Sequence, residues 1–111
     1  MKKAIFRGTS LEDIKDFPEE ARKDAGFAID DVQHGRMPSD FKSMTDVGQG
    51  VYEVRIKTTP SKDQYRVFYV AKFEDAVYIL HAFQKKTQKT AKSDLDKGRK
   101  VYRELTEELK S

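Results

Sequence analysis

Apolar positions along this chain change period about halfway, from a helical repeat to the alternation of strands. Lys3 to Arg7 reads as a short first strand. Ser10 follows as a candidate N-cap with Asp13 three residues on, a variant of the capping box, and Leu11 and Ile14 give that short helix its apolar side. Pro18 suits the first position of a second helix, where its missing N–H is no loss, and Glu19 and Glu20 complement the positive end of the dipole. Ala21, Ala25, Ala28, Ile29 and Val32 then recur at helical spacing up to Gly35, a C-terminal stop, with His34 in the last turn. His34 there complements the helix dipole and is read as structural.

From Val51 the period is two. Tyr52, Val54 and Ile56 fall on one face of a strand ending at Lys57, and Val51, Glu53, Arg55 and Lys57 on the other, as in a half-buried strand with a polar, cation-bearing face. Thr58 to Gln64 contains Pro60, Ser61 and Asp63 and reads as a turn into a more apolar strand, Tyr65 to Phe73, which makes a hairpin. Glu74 and Asp75 turn the chain into Ala76 to Phe83, apolar on both faces and so expected to be central. Ser93 offers an N-cap, and Leu95, Gly98, Val101, Tyr102, Leu105 and Leu109 mark an amphipathic helix. The predicted class is α+β: a small, mainly antiparallel sheet with two N-terminal helices and a C-terminal helix, in one domain over residues 1–111.

Composition narrows the function classes. Hydrophobic and charged residues are 37% each, and 12 aromatics at regular spacing argue against a disordered chain. With no cysteine there is no disulfide framework and no thiolate metal site, and two histidines alone do not fill a zinc site. No apolar run approaches the roughly 20 residues of a membrane helix, and Met1 to Arg7 lacks a signal-peptide core, so a cytoplasmic location without membrane contact is expected. Charge is uneven: residues 1–50 carry 8 Lys/Arg against 10 Asp/Glu, a net −2, and residues 51–111 carry 14 against 9, a net +5. Lys85 to Arg103 concentrates eight cations, among them Lys85, Lys86, Lys89, Lys92 and Arg99, against Asp94 and Asp96. Such a stretch binds phosphates or is simply a solvated face, and composition does not decide between them.

The candidate chemistry lies in Arg55, Lys57, Arg66, Lys85 and Lys86, which the fold does not need as packing residues. If the hairpin turns within Thr58 to Gln64, Arg55 and Lys57 project from the sheet near Arg66, and Lys85 and Lys86 extend the third strand. By spacing alone, ordinary solvent-facing cations are the commoner explanation of such a set. His81, mid-strand among apolar residues, is read as a core histidine, and Tyr102 as a packing residue on the helix face.

Three stretches carry a resemblance: Gly48-Gln49-Gly50-Val51-Tyr52-Glu53-Val54-Arg55-Ile56, Tyr65-Arg66-Val67-Phe68-Tyr69-Val70, and above all His81-Ala82-Phe83-Gln84-Lys85-Lys86-Thr87. With Gly8-Thr9-Ser10-Leu11 and Pro38-Ser39-Asp40-Phe41-Lys42 upstream, they resemble the phage-derived branch of the RelE/HigB toxin superfamily nearly end to end. The resemblance implies a metal-independent, cofactor-free endoribonuclease that cuts mRNA in the ribosomal A site, held in check by a cognate antitoxin, often one with a helix-turn-helix domain. It implies that Arg66 contacts the scissile phosphate and that Arg55 and Lys57 bind RNA or assist proton transfer. Lys86, with Lys85, would hold the leaving group or a neighbouring phosphate. Lys89, Lys92 and Arg99 would meet flanking phosphates. The turn at Thr58 to Gln64 is longer than that branch usually has, which leaves the strand register open. Two other classes remain: a toxin of the same fold that poisons a protein target such as DNA gyrase, and a noncatalytic nucleic-acid-binding accessory module.

Overall fold

The computed structural model describes residues 1–110. Its elements run β1 (Lys3–Phe6), α1 (Ser10–Lys15), α2 (Glu19–Gln33), β2 (Phe41–Ser43), β3 (Val51–Lys57), β4 (Gln64–Val70), β5 (Ala76–Lys85) and α3 (Lys92–Lys110). The five strands form one sheet in the order β1-β5-β4-β3-β2. β1 runs parallel to β5 and every other pairing is antiparallel, so the expected α+β class holds.

Helices cover both faces of the sheet, and this explains where the period-two reading needed correction. On one face Ala21, Ala25, Ala28, Ile29 and Val32 of α2 pack on Val54, Ile56, Val67, Tyr69 and Ile79. On the other, Leu105 with Leu95, Val101 and Tyr102 of α3 meets Val51, Phe68, Val70, Tyr78 and Leu80. β3 is therefore not half-buried: Val51 and Glu53, expected on its polar face, are both buried beneath the second layer. β5 is interior as its apolar faces require, but β4 is the middle strand, and it ends at Val70 rather than Phe73. An irregularity opposite Phe68/Tyr69 shifts the β4–β5 register, which turns both Leu80 and His81 inward.

Helix starts differ from expectation by one or two residues. Thr9, not Ser10, holds the N-cap position of α1, and its hydroxyl bonds the Asp13 carboxylate at 2.8 Å. Ser10 is buried inside the helix and donates to the Ile79 carbonyl at 3.2 Å, tying α1 to β5. Pro18 sits at the N-cap of α2 rather than at its first residue, and Ser93 lies within the first turn of α3. Gly35 does end α2, with φ +80°, and His34 Nδ1 hydrogen-bonds the Asp30 carbonyl at 2.8 Å, a structural role. β2 escaped the sequence reading because all three of its side chains are exposed, leaving no alternation to detect.

Gly98 sets how closely α3 lies on the sheet. A Cβ there would stand 2.8 Å from the Phe68 ring and 3.1 Å from Val47, and Phe68 is fully buried. Gly98→Ala is favoured by helix propensity by about 1 kcal/mol, yet overpacking costs about 1–3 kcal/mol. Urea unfolding is expected to show a net loss of stability; a variant as stable as the parent would show that α3 has slack at this crossing.

Candidate active site

Strand register decides which of the predicted residues meet. Arg55 stands opposite Arg66, which stands opposite Phe83; one row further, Lys57 faces Gln64 and Gln64 faces Lys85. Residues two apart share a face, so the two rows form one patch, on the face that α3 covers lower down. α3 reaches only to the next row, where Asp94 in its first turn bonds His81. Beyond that point the sheet is open, and Asp40, Arg55, Ile56, Lys57, Gln64 and Arg66 line a shallow cavity of about 190 Å³. Lys85 and Lys86 line a neighbouring cavity of about 170 Å³ with Phe83, Thr87, Ala91 and Asp94. The longer turn at Thr58 to Gln64 thus leaves Arg55 and Arg66 side by side.

The three central cations are held very differently. Lys57 and Arg55 are both exposed, with Nε and Nη2 of Arg55 each 3.0 Å from Asp40 Oδ1. Arg66, expected at the surface, is only 5% exposed. Its Nη1 donates to the Tyr65 carbonyl at 3.1 Å and its Nη2 to Gln64 Oε1 at 2.7 Å. Its Nε lies 3.6 Å from Oε1 of Glu53, a carboxylate that is 4% exposed. That contact is an ion pair but too long for a hydrogen bond. Burial lowers the Arg66 pKa and raises that of Glu53, in each case by more than the partner's charge offsets.

The outlying cations are not part of this patch. Lys92 is paired with Asp96 at 2.8 Å, and Arg99 bonds both Asp96 and the Asp46 carbonyl, fastening α3 to the loop before β3. Lys89 is exposed in the connection between β5 and α3. Tyr102 packs over Gly48 and donates to the Gln49 carbonyl at 2.8 Å, in keeping with a packing role. His81 is a core histidine, stacked on Phe83 and bonded through Nε2 to Asp94 at 2.8 Å. Sequence reading missed Glu53 as a site residue. Its signal was present: a carboxylate two residues before Arg55 and four before Lys57 shares their face.

The fold and patch define a class, a small α+β domain with a cationic cleft at the open end of its sheet. Residues 12–103 match the family described as Phage derived protein Gp49-like (DUF891), and the chain belongs to that family, a RelE/HigB-like toxin family. No curated protein matches it. Among the described residues no helix is long and apolar enough to cross a membrane.

Removing Arg66 leaves a carboxylate buried without its counter-ion. Arg66→Ala is expected to lower stability by about 3–5 kcal/mol at neutral pH. Arg55→Ala, whose pair with Asp40 is solvated, is expected to cost at most about 1 kcal/mol. Glu53 already has a folded pKa above its ordinary 4.5, and losing Arg66 raises it further. A raised folded pKa means stability that is greatest below the unfolded value and is lost as pH rises through the folded one. The Arg66→Ala deficit is therefore expected to shrink as pH falls from 7 toward 4.5 in urea titrations. A deficit that grows on acidification would contradict the pairing.

Proposed function

We propose that this protein is a growth-arresting toxin that cleaves mRNA on the ribosome, and that a cognate antitoxin holds it inactive. The observation that supports this most is the register that gathers Arg55, Lys57 and Arg66 in one open cavity, with Lys85 in line across the sheet. Cleavage by the adjacent 2′-hydroxyl needs that hydroxyl deprotonated, the phosphorane charge stabilised and a proton given to the departing 5′-oxygen. Arg55 and Lys57 are placed to meet a phosphodiester entering the cavity, with Arg66 behind them as the planar donor fork for the scissile phosphate. Lys86, with Lys85, serves the leaving-group side. Lys89, and less freely Lys92 and Arg99, meet flanking phosphates. This set needs no cofactor.

Protonated guanidinium and ammonium groups cannot act as bases, so positioning of the message supplies much of the rate. On this reading the substrate is mRNA in the ribosomal A site, and the toxin acts in the cytoplasm with an antitoxin, often of the helix-turn-helix type, encoded beside it.

On induction, growth is expected to stop and new mRNA 5′ ends to appear within translated frames. Purified protein is expected to cut ribosome-bound message much faster than the same RNA free in solution, with Arg55→Ala and Lys57→Ala each losing on the order of 10²-fold in rate. Ribosome binding is expected to weaken as salt rises. Equal cutting of free RNA would reject ribosome dependence. Salt-sensitive binding without any cleavage would favour a noncatalytic module, and arrest with intact mRNA a protein target. Co-expression of the adjacent reading frame is expected to restore growth and give a complex that co-purifies.

A further inference from the structure

Beneath the two cationic rows, the Glu53–Arg66 pair has a geometry that satisfies neither partner. Arg66 Nε and Glu53 Oε2 are both buried without a hydrogen-bond partner, and the shortest contact between the charged groups is the 3.6 Å from Nε to Oε1. Arginine–carboxylate pairs are frequently bidentate, with two parallel N–H···O bonds. Here the other Arg66 donors are committed to Tyr65 and Gln64, and each ion bears more desolvation than the attraction of its partner returns. The charged groups facing Glu53 are all cations: Lys42 from β2, Arg55 on its own strand, Arg66 from β4 and Lys85 from β5. Arg66 also lines the cavity formed with Asp40, Arg55, Ile56, Lys57 and Gln64, where an entering anion would compete with Glu53 for it.

We propose that Glu53 is a positioning residue that holds Arg66 in a retracted pose and releases it to an entering phosphodiester, taking up one proton in exchange. The inference rests on the RNA-cleaving reading for its substrate. Its physical core, competition between a buried carboxylate and an external anion for one guanidinium, is testable with an inorganic anion. On release, Arg66 Nε gains an acceptor. Glu53, left buried without its nearest cation, binds a proton from solvent. Anion binding is thereby linked to proton uptake, and weakens as pH rises through the folded titration range of Glu53.

Sulfate is a suitable probe because it does not titrate between pH 5 and 7. Calorimetry on the full chain is expected to show tighter sulfate binding at pH 5 than at pH 7, with net proton uptake, and sulfate is expected to shift the Arg66 Nε–H resonance. Glu53→Gln is expected to bind sulfate about tenfold more tightly at pH 7, the equivalent of one pKa unit, and to lose most of the pH dependence. On ribosome-bound mRNA the same variant is expected to change KM more than kcat. Glu53→Asp, a shorter carboxylate that keeps the charge, is expected to retain the pH dependence with a weaker hold.

A wild-type chain that binds sulfate without proton uptake or movement of the Arg66 signal overturns the proposal, whether or not either variant folds. So does a Glu53→Gln chain that keeps wild-type affinity and pH profile. If the sulfate results are as expected and no variant cleaves mRNA, the latch stands and the nuclease reading fails.

Discussion

How far α3 extends across the sheet determines what the rest of this molecule can do. The helix crosses Phe68 at Gly98, where the missing side chain permits close approach, and its first turn stops at His81 through Asp94. Below that line β3, β4 and β5 are sandwiched between helical layers and carry apolar side chains on both faces. Above it the same strands continue for two more rows without a cover, and those rows hold the cations. Strands stiffened by packing at one end thus present charged side chains at the other, an economical way to hold several like charges at fixed spacing. Arg99 and Tyr102, which fasten α3 to the loop before β3, keep the helix at that position.

Electrostatics divides the patch by depth. Arg55 and Asp40 form an exposed pair with good geometry, in which water screens the charges and little free energy is at stake. Arg66 and Glu53 form a buried pair with poor geometry, in which desolvation exceeds attraction for both partners. Two pairs whose arginines stand opposite each other in one row of the sheet therefore have opposite character: the exposed one yields readily to solvent or ligand, and the buried one leaves hydrogen-bonding capacity unsatisfied.

Membership of the Gp49-like family gives the chain a toxin class, while the architecture gives that class its physical means. Cations on neighbouring strands, spaced by pleat and register, suit the proposed contact with a phosphodiester, which demands no particular base. The acidic N-terminal half lies largely in α1 and α2, and α2 packs on the opposite face of the sheet.

Several features of this protein were legible in its sequence because each is a local or periodic property. The α2 core stripe at Ala21, Ala25, Ala28, Ile29 and Val32, the stop at Gly35, the span of β3 and the packing role of Tyr102 all follow from spacing or from a single residue's conformational freedom. The basic set Arg55, Lys57, Arg66, Lys85 and Lys86 could be named for the same reason, since charge and strand alternation are visible in one dimension. Depth is not a local property. Whether the second face of β3 meets water or α3 depends on a helix some 40 residues later in the chain, so the burial of Val51 and Glu53 could not be read from alternation, which reports only that the two faces differ. Likewise β2, with three exposed side chains, exists because β3 offers an unpaired edge and not because of its own pattern. Arg66 shows the division most clearly: its type and strand position were sequence properties, but its loss of solvent and its pairing with Glu53 came from the strand register, which only the tertiary structure decides.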